Sequence, residues 1–447
     1  MRKSFLMRAA MVFGTLAVLI VTSDLRPQPL TAQSGAKARW ERMAQIRRDK
    51  FDHVLPEAMR ENEIDMWITV VKEGLPDPLT KDLGQGYVGS IGYYVFTDTG
   101  ADRIERVALG IGGYLLEKNG AYDMVTGSFD LREFVAERDP SRIGLNMSAQ
   151  IGGADGLSHT SYLHLVETLG EPYADRIVSA EKLVSDFRSR RVATEIAAFA
   201  EAGEISREIA ERALSNEVIV PGVTALEDVS WWVMEELSRR DLDTSFDFPS
   251  IYITGPDGIE ASSNERIIQR GDLLMMDWGV GLMNFFTDMK RTAYVLREGE
   301  SEAPEGLQNA FDRGLEAREV LKNAIRAGRT ASANAEAIED ALREAGFGVM
   351  EVFNQPTDGP LTDIMFGNHS VGNLGHGIGP SIAWFNPLRF TFEVRPTNLI
   401  SIELFAYTAN PDWGGAKVRI PLEDDAVVTE RGVEWLYPAN TRLLLVR

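Results

Sequence analysis

Five residues in the second half of the chain have types that could together do chemistry: Asp277, Asp288, His376, Glu403 and Glu423. Each lies in a segment that reads as a strand or a strand edge. Asp277 ends the apolar run LLMMD, and Asp288 lies in FFTDMKRTAYV. His376 sits in GHGIG, Glu403 in LISIELFAY and Glu423 in LEDDAVVT. Four carboxylates and one imidazole offer hard oxygen donors plus one nitrogen, a set suited to a pair of divalent cations such as Mn²⁺, Co²⁺, Fe²⁺ or Zn²⁺. Two such ions activate one water and polarise a carbonyl, which is hydrolase chemistry. An acid near a turn is ordinarily a solvated surface group. Asp277 and Glu403 resist that reading, because they interrupt apolar runs and an unpaired buried carboxylate is costly.

The spacing says how these residues could meet. Asp277 and Asp288 flank the turn-like segment Gly281–Asn284. Folding about its middle sets the two aspartates directly opposite each other on antiparallel strands, facing one side with Cβ atoms about 4.5–5.5 Å apart. Glu403 and Glu423 flank a second turn, Pro411–Gly415, whose centre is Trp413, so they too are expected to oppose each other. Two hairpins presenting two acids each fit a dinuclear site with metals about 3.5–4 Å apart.

The elements that must position these residues form two units. Lys37–Glu61 has an apolar face (Trp40, Met43, Ile46, Phe51, Val54, Leu55) and reads as helix. IDMWITVV and SRIGLNMS read as short strands, YYVFTD and IERVALGI as strands paired about Thr99–Gly100, and Ser158–Leu169 as helix. Gly74–Gly92, rich in Gly and Pro, reads as loop. Its Gly84, Gly86 and Gly89 make a GxGxxG with no βαβ setting, which argues against a dinucleotide site. This alternation predicts a smaller α/β unit over residues 33–182. Beyond it, Glu195–Asn216, a helix capped by Thr224, Gly306–Arg326 and Ser332–Ala345 supply helices around antiparallel hairpins, an α+β unit over residues 183–447.

GDLLMMDWG followed by TDMKRTAYV resembles the paired-aspartate hairpin of the pita-bread metallopeptidases. That group includes methionine aminopeptidase, aminopeptidase P and prolidase, with creatinase as a non-metal relative. GHGIG resembles its histidine loop, SIELFAY its first glutamate strand, and VRIPLEDDAVVTERGVEWL its last segment. The resemblance covers about residues 185–447. RRDKFDHVLPEAMRENEIDMWIT resembles the start of the N-terminal domain of aminopeptidase P, prolidase and creatinase. The resemblance implies a curved antiparallel sheet with helices outside, preceded by a creatinase-type domain. It also implies two bound divalent metals, with Mn²⁺ foremost, and Glu403 as both ligand and proton shuttle. A peptide substrate cleaved near its N-terminus, as by an Xaa-Pro aminopeptidase or dipeptidase, and a homodimer follow from it as well. A metal-dependent hydrolase of another amide or ester and a non-catalytic metal-binding relative are the alternatives.

Departures from the family pattern bear on that expectation. Glu260 stands where the family places a histidine seventeen residues before the first aspartate, and Ala383 where it places another seven residues after the ligand histidine. Those histidines bind substrate and steady the tetrahedral intermediate. His369 is the one remaining imidazole near enough in sequence to substitute as a catalytic donor. An ungapped match would also put Pro421 at the last ligand position. Reading Pro421-Leu422 as an insertion delivers Glu423 instead.

At 447 residues the chain is long enough for two such units, and its 44% hydrophobic and 25% charged content is that of a soluble globular protein. Arg2, Lys3 and Arg8 precede AAMVFGTLAVLIV and then TSDLRPQPLTAQS. This is the pattern of a secretory signal peptide over residues 1–32, implying a secreted or periplasmic protein with no stable membrane insertion once it is removed. The apolar core is short of the roughly 20 residues a membrane span needs, and an uncleaved anchor is the alternative. With no cysteine there is neither a thiol nucleophile nor a disulfide. The net charge of −21 argues against nucleic acid as a partner, because phosphate binding needs clustered positive charge.

Overall fold

Alternation decides what each long strand of this protein buries. The computed structural model describes residues 35–447 apart from 263, 351, 353, 374 and 385, so the expected signal peptide lies outside the described residues. In the strand Leu399–Ala409, Ile400, Ile402, Leu404 and Ala406 point to one face; in its partner Lys417–Thr429, Val418, Ile420 and Leu422 do the same. These side chains form one core with the helices Glu305–Ala324 and Ala331–Glu344. Gly314 lets the first helix close on the sheet, since a Cβ there would lie 3.1 Å from Leu422 Cδ1. Each such leucine or isoleucine, fully buried, contributes about 1.5–3 kcal/mol. The intervening residues, Ser401, Glu403, Phe405, Glu423 and Asp425, are left to the opposite face.

The same logic holds for the strands Leu273–Trp278 and Met289–Val295. Leu274, Met276, Trp278, Met289, Ala293 and Val295 pack on the helices Ala193–Ala213 and Leu226–Arg240. Among the described residues these strands belong to one large, mainly antiparallel sheet. The neighbours run Asn368–Gly372, Leu399–Ala409, Lys417–Thr429, Met289–Val295, Leu273–Trp278 and Ser250–Gly255. With helices on one side of this sheet, the fold is the expected α+β pita-bread type.

A second, six-stranded sheet lies N-terminal to it. Met66–Lys72 pairs antiparallel with Tyr87–Thr97 and parallel with Ile143–Leu145, and Tyr87–Thr97 pairs antiparallel with Glu105–Gly112. The junction expected at 182–183 falls within the helix Glu181–Ser189, which packs against elements of both sheets' surroundings. Three local expectations need correction. The helix over Lys37–Glu61 is two helices, Ala36–His53 and Leu55–Glu61, with Pro56 in the first turn of the second. The loop expected over Gly74–Gly92 contains the short helix Thr80–Leu83 and the start of the strand at Tyr87. Thr224 does not cap the helix Leu226–Arg240. Asp228 accepts from the Ala225 N–H at 2.8 Å, while Thr224 Oγ1 accepts from the Val220 N–H at 2.9 Å. Among the described residues no helix is long and apolar enough to cross a membrane.

Candidate metal centre

The aspartate hairpin turns one residue later than Gly281–Asn284 suggested. Leu282 opposes Phe285, so the turn is Met283–Asn284, with Met283 at φ 59°. Extended along the strands, that register sets Lys290, not Asp288, opposite Asp277. The direct opposition of the two aspartates is therefore corrected to a diagonal. The shift is two residues in the pairing and preserves parity, so both still face the same side, at the about 7–8 Å of diagonal neighbours. Glu403 and Glu423 do oppose each other.

Side chains from five adjacent strands, with His376 beside them on Gly375–Ile382, converge on this face. Asp288, His369 and His376 form one group of donor atoms lying within 4.8 Å of one another; His369, Glu403 and Glu423 form a second, and Asp277, Asp288 and Glu423 a third. The Nε2 atoms of His369 and His376 lie 3.8 and 3.4 Å from Asp288 Oδ2, and the two rings meet edge to face at 4.3 Å. His369 Nε2 is 3.3 Å from Glu423 and 3.9 Å from Glu403. The expected site residues are thus brought together. His369 sits in their midst, and His376 is exposed where the others are enclosed.

Three members of the site lie outside the set expected from the sequence. The Lys290 ammonium hydrogen-bonds Glu423 and lies 2.8 Å from Glu403 and 3.2 Å from Asp277. The Ser401 hydroxyl donates to Glu423. Asp425, wholly buried on the Glu423 face, accepts from the Asp288 N–H at 3.2 Å. Parity with Asp288 and Glu423 is the signal that could have found Lys290 and Asp425. Of the two positions that depart from the family pattern, Glu260 is exposed on the strand Gly258–Ser262 and Ala383 is buried with no side-chain donor.

The electrostatics follow from burial against this crowding. Burial pushes Asp277 up to about 7, opposed by Lys290 and reinforced by Asp288, Glu423 and Glu403. Burial likewise raises Glu403, again opposed by Lys290. Burial would raise Glu423 too, but the Lys290 charge and the His369 hydrogen bond outweigh it and hold that carboxyl well below its ordinary range. Burial would lower His369, yet its hydrogen bond to Glu423 and the charges of Asp288, Glu423 and Glu403 lift it to about 9. Asp425 is raised well above the ordinary value by burial, then by Asp288 and Glu423.

The set fits a divalent cation. Asp277 Oδ1, Asp288 Oδ1 and Asp425 Oδ1 are buried without a hydrogen-bond partner among the described residues. Buried acceptors of this kind are ordinarily satisfied, so these three point to a ligand. The neighbouring acid Asp424 behaves differently. It lies on the helix side, where Arg291, Arg318 and the Asn440 N–H bind it at 2.7, 3.0 and 2.9 Å. Pro421 opposes Phe405 and offers no donor.

Residues 197–430, just over half of the chain, match the sequence model of metallopeptidase family M24. An Xaa-Pro dipeptidase from Pyrococcus furiosus is 24% identical over 184 residues, 41% of this chain. That match spans only 44% of the relative's length. Among solved structures, the X-Pro aminopeptidase of Thermotoga maritima superposes with a TM-score of 0.63 at 17% identity, covering 87% of this chain and 100% of the other. An Xaa-Pro dipeptidase from Bacillus anthracis gives 0.57 at 20% identity over 90% and 99%. The prolidase of Pyrococcus horikoshii gives 0.55 at 18% over 91% and 99%. At these identities the structures share the fold with this chain.

Proposed function

Because the chain belongs to metallopeptidase family M24, we propose that it is a metal-dependent exopeptidase cleaving short peptides near their N-termini, with Xaa-Pro bonds as its preferred class. The observation that carries this reading is the convergence of Asp277, Asp288, His369, His376, Glu403 and Glu423 donor atoms on one sheet face. The names of the similar proteins supply the Xaa-Pro preference.

A divalent cation held by these residues would polarise the scissile carbonyl and make water a nucleophile near neutral pH. The remaining work belongs to the chain. Glu403, with its pKa raised by burial, is suited to take a proton from the attacking water and return it to the leaving amine. Lys290 holds its Oε1, so Oε2 is the oxygen that carries the proton. Exposed His376 lines a cavity of about 270 Å³ with Arg188, Asn373, Leu388 and Arg389. That volume suits a peptide end rather than a folded protein, since small-molecule sites are typically about 300–1,000 Å³.

The exposed Glu260 and the donor-free Ala383 favour one second reading, a metal-dependent hydrolase of another amide or an ester. One experiment separates the two: digestion of a peptide mixture, and of an ester panel, with mass-spectrometric readout and with or without added divalent metal. Metal-dependent release of N-terminal residues or of Xaa-Pro dipeptides is expected. Ester cleavage without peptide cleavage would move the assignment to the second reading.

Export and a homodimer belong to the same proposal. Arg2, Lys3 and Arg8 ahead of AAMVFGTLAVLIV support export. N-terminal sequencing of the protein from the periplasm tests the cleavage expected after Ala32, and light scattering tests the dimer.

A further inference from the structure

We infer that the Lys290 ammonium takes the place of one of the two expected cations, so that the centre holds a single divalent ion on Asp288, His369 and His376. The inference rests on the metal-dependent reading and deepens it by fixing stoichiometry and donor set. Of the three convergent donor groups, two draw on carboxylates that Lys290 already occupies: His369–Glu403–Glu423, and Asp277–Asp288–Glu423. An ion among those carboxylates would sit beside a positive charge fixed in the sheet. Lys290 cannot readily leave. Strand alternation commits it to this face opposite Asp277, it is almost wholly buried, and its Nζ lies 5.7 Å from the centre of the Phe405 ring.

The third group contains no atom in contact with Lys290. His369 Nδ1 lies 3.2 Å from the Ser370 carbonyl, which can only accept, so Nδ1 carries a proton and Nε2 is left facing the acids, 3.3 Å from Glu423 and 3.8 Å from Asp288. A ligating imidazole commonly fixes its other nitrogen in this manner. Asp288 Oδ1 is buried without a partner among the described residues. His369, expected as a stand-in for the absent accessory histidines, thereby becomes a ligand. Two nitrogens and one carboxylate favour Zn²⁺, Co²⁺ or Fe²⁺ over the Mn²⁺ expected from an oxygen-rich pair.

The test is elemental analysis of the full chain after loading with excess Zn²⁺, or separately Mn²⁺, and gel filtration. One equivalent of Zn²⁺ per chain is expected, held at least about tenfold more tightly than Mn²⁺ in competition. Lys290→Ala is expected to bind two equivalents. Asp277→Asn should stay at one, while Asp288→Asn and His369→Asn fall toward zero. Two equivalents in the unaltered protein would overturn the inference, as would one equivalent in both it and Lys290→Ala. If Lys290→Ala does not fold, the other variants decide. Ion lost in Asp277→Asn but retained in His369→Asn would also overturn it. Zero equivalents in the unaltered protein would sink this inference together with the metal-dependent function. One equivalent without any peptide cleavage would sustain it while overturning the peptidase reading.

Discussion

The strands Met289–Val295 and Lys417–Thr429 carry two clusters of charge on opposite faces, built from residues adjacent in sequence. Lys290 and Glu423 face the concave side; Arg291 and Asp424 face the helices. On the helix side the Asp424 carboxylate is closed off, with both oxygens accepting from Arg291, Arg318 and the Asn440 backbone. On the concave side Asp277, Asp288 and Asp425 each keep a buried oxygen with no partner among the described residues. Burial alone therefore does not separate structure from function. What separates the faces is whether the carboxylate oxygens are satisfied without a ligand.

The largest effect is expected where the closed-off carboxylate is removed. Asp424→Ala leaves Arg291 and Arg318 buried and unpaired, which costs about 3–5 kcal/mol of folding stability. Urea unfolding should show that loss; a midpoint close to that of the unaltered protein would mean the helix-side cluster is not structural. Asp288→Asn on the open face should do the reverse. Hydrolysis falls by about 10³-fold or more, equivalent to about 4 kcal/mol of barrier, with little change in stability. Full activity and full metal content in that variant would remove the basis of the assignment.

A finer comparison uses neighbours. Glu423→Gln is expected to weaken metal binding by about tenfold or more, whereas Asp424→Asn should change it by less than about threefold, because a buried partner of a ligand tunes affinity and a group on the far face does not. Equal effects in a metal titration would erase the distinction between the faces. The smallest effect is expected from chelation. Removing the ion should lower the melting temperature by only about one degree, about 1 kcal/mol or less for a chain of this size, since Lys290 already offsets part of the acid repulsion. Cooperative unfolding on chelation would show that the open face depends on metal for its fold.

Much of this division was legible beforehand. Periodicity located the ligand strands, and the centre of the Pro411–Gly415 turn fixed the pairing of Glu403 with Glu423. The turn of the aspartate hairpin falls one residue later than the sequence suggests because the chain turns at Met283, a residue whose side chain disfavours the positive φ it adopts. Gly281 drew the turn forward, though it lies within a strand. Lys290 is hidden in the sequence for a different reason. A lysine in a strand reads as a solvated charge, and only its parity with Asp288 places it among the acids. The convergence of His369 with His376 depends on a strand register that contains an irregularity between His369 and Val371, for which local sequence carries no signal.

Lys290 has one more consequence, for the order of events as the protein matures. Four carboxylates brought together on a sheet would repel one another until a cation arrived, and assembly of the site would have to wait for ion supply. A cation attached to the backbone is present from the first moment those strands pair. If the centre takes up a single ion as proposed, the chain would complete its architecture before that ion arrives, and ion supply would govern activity rather than folding.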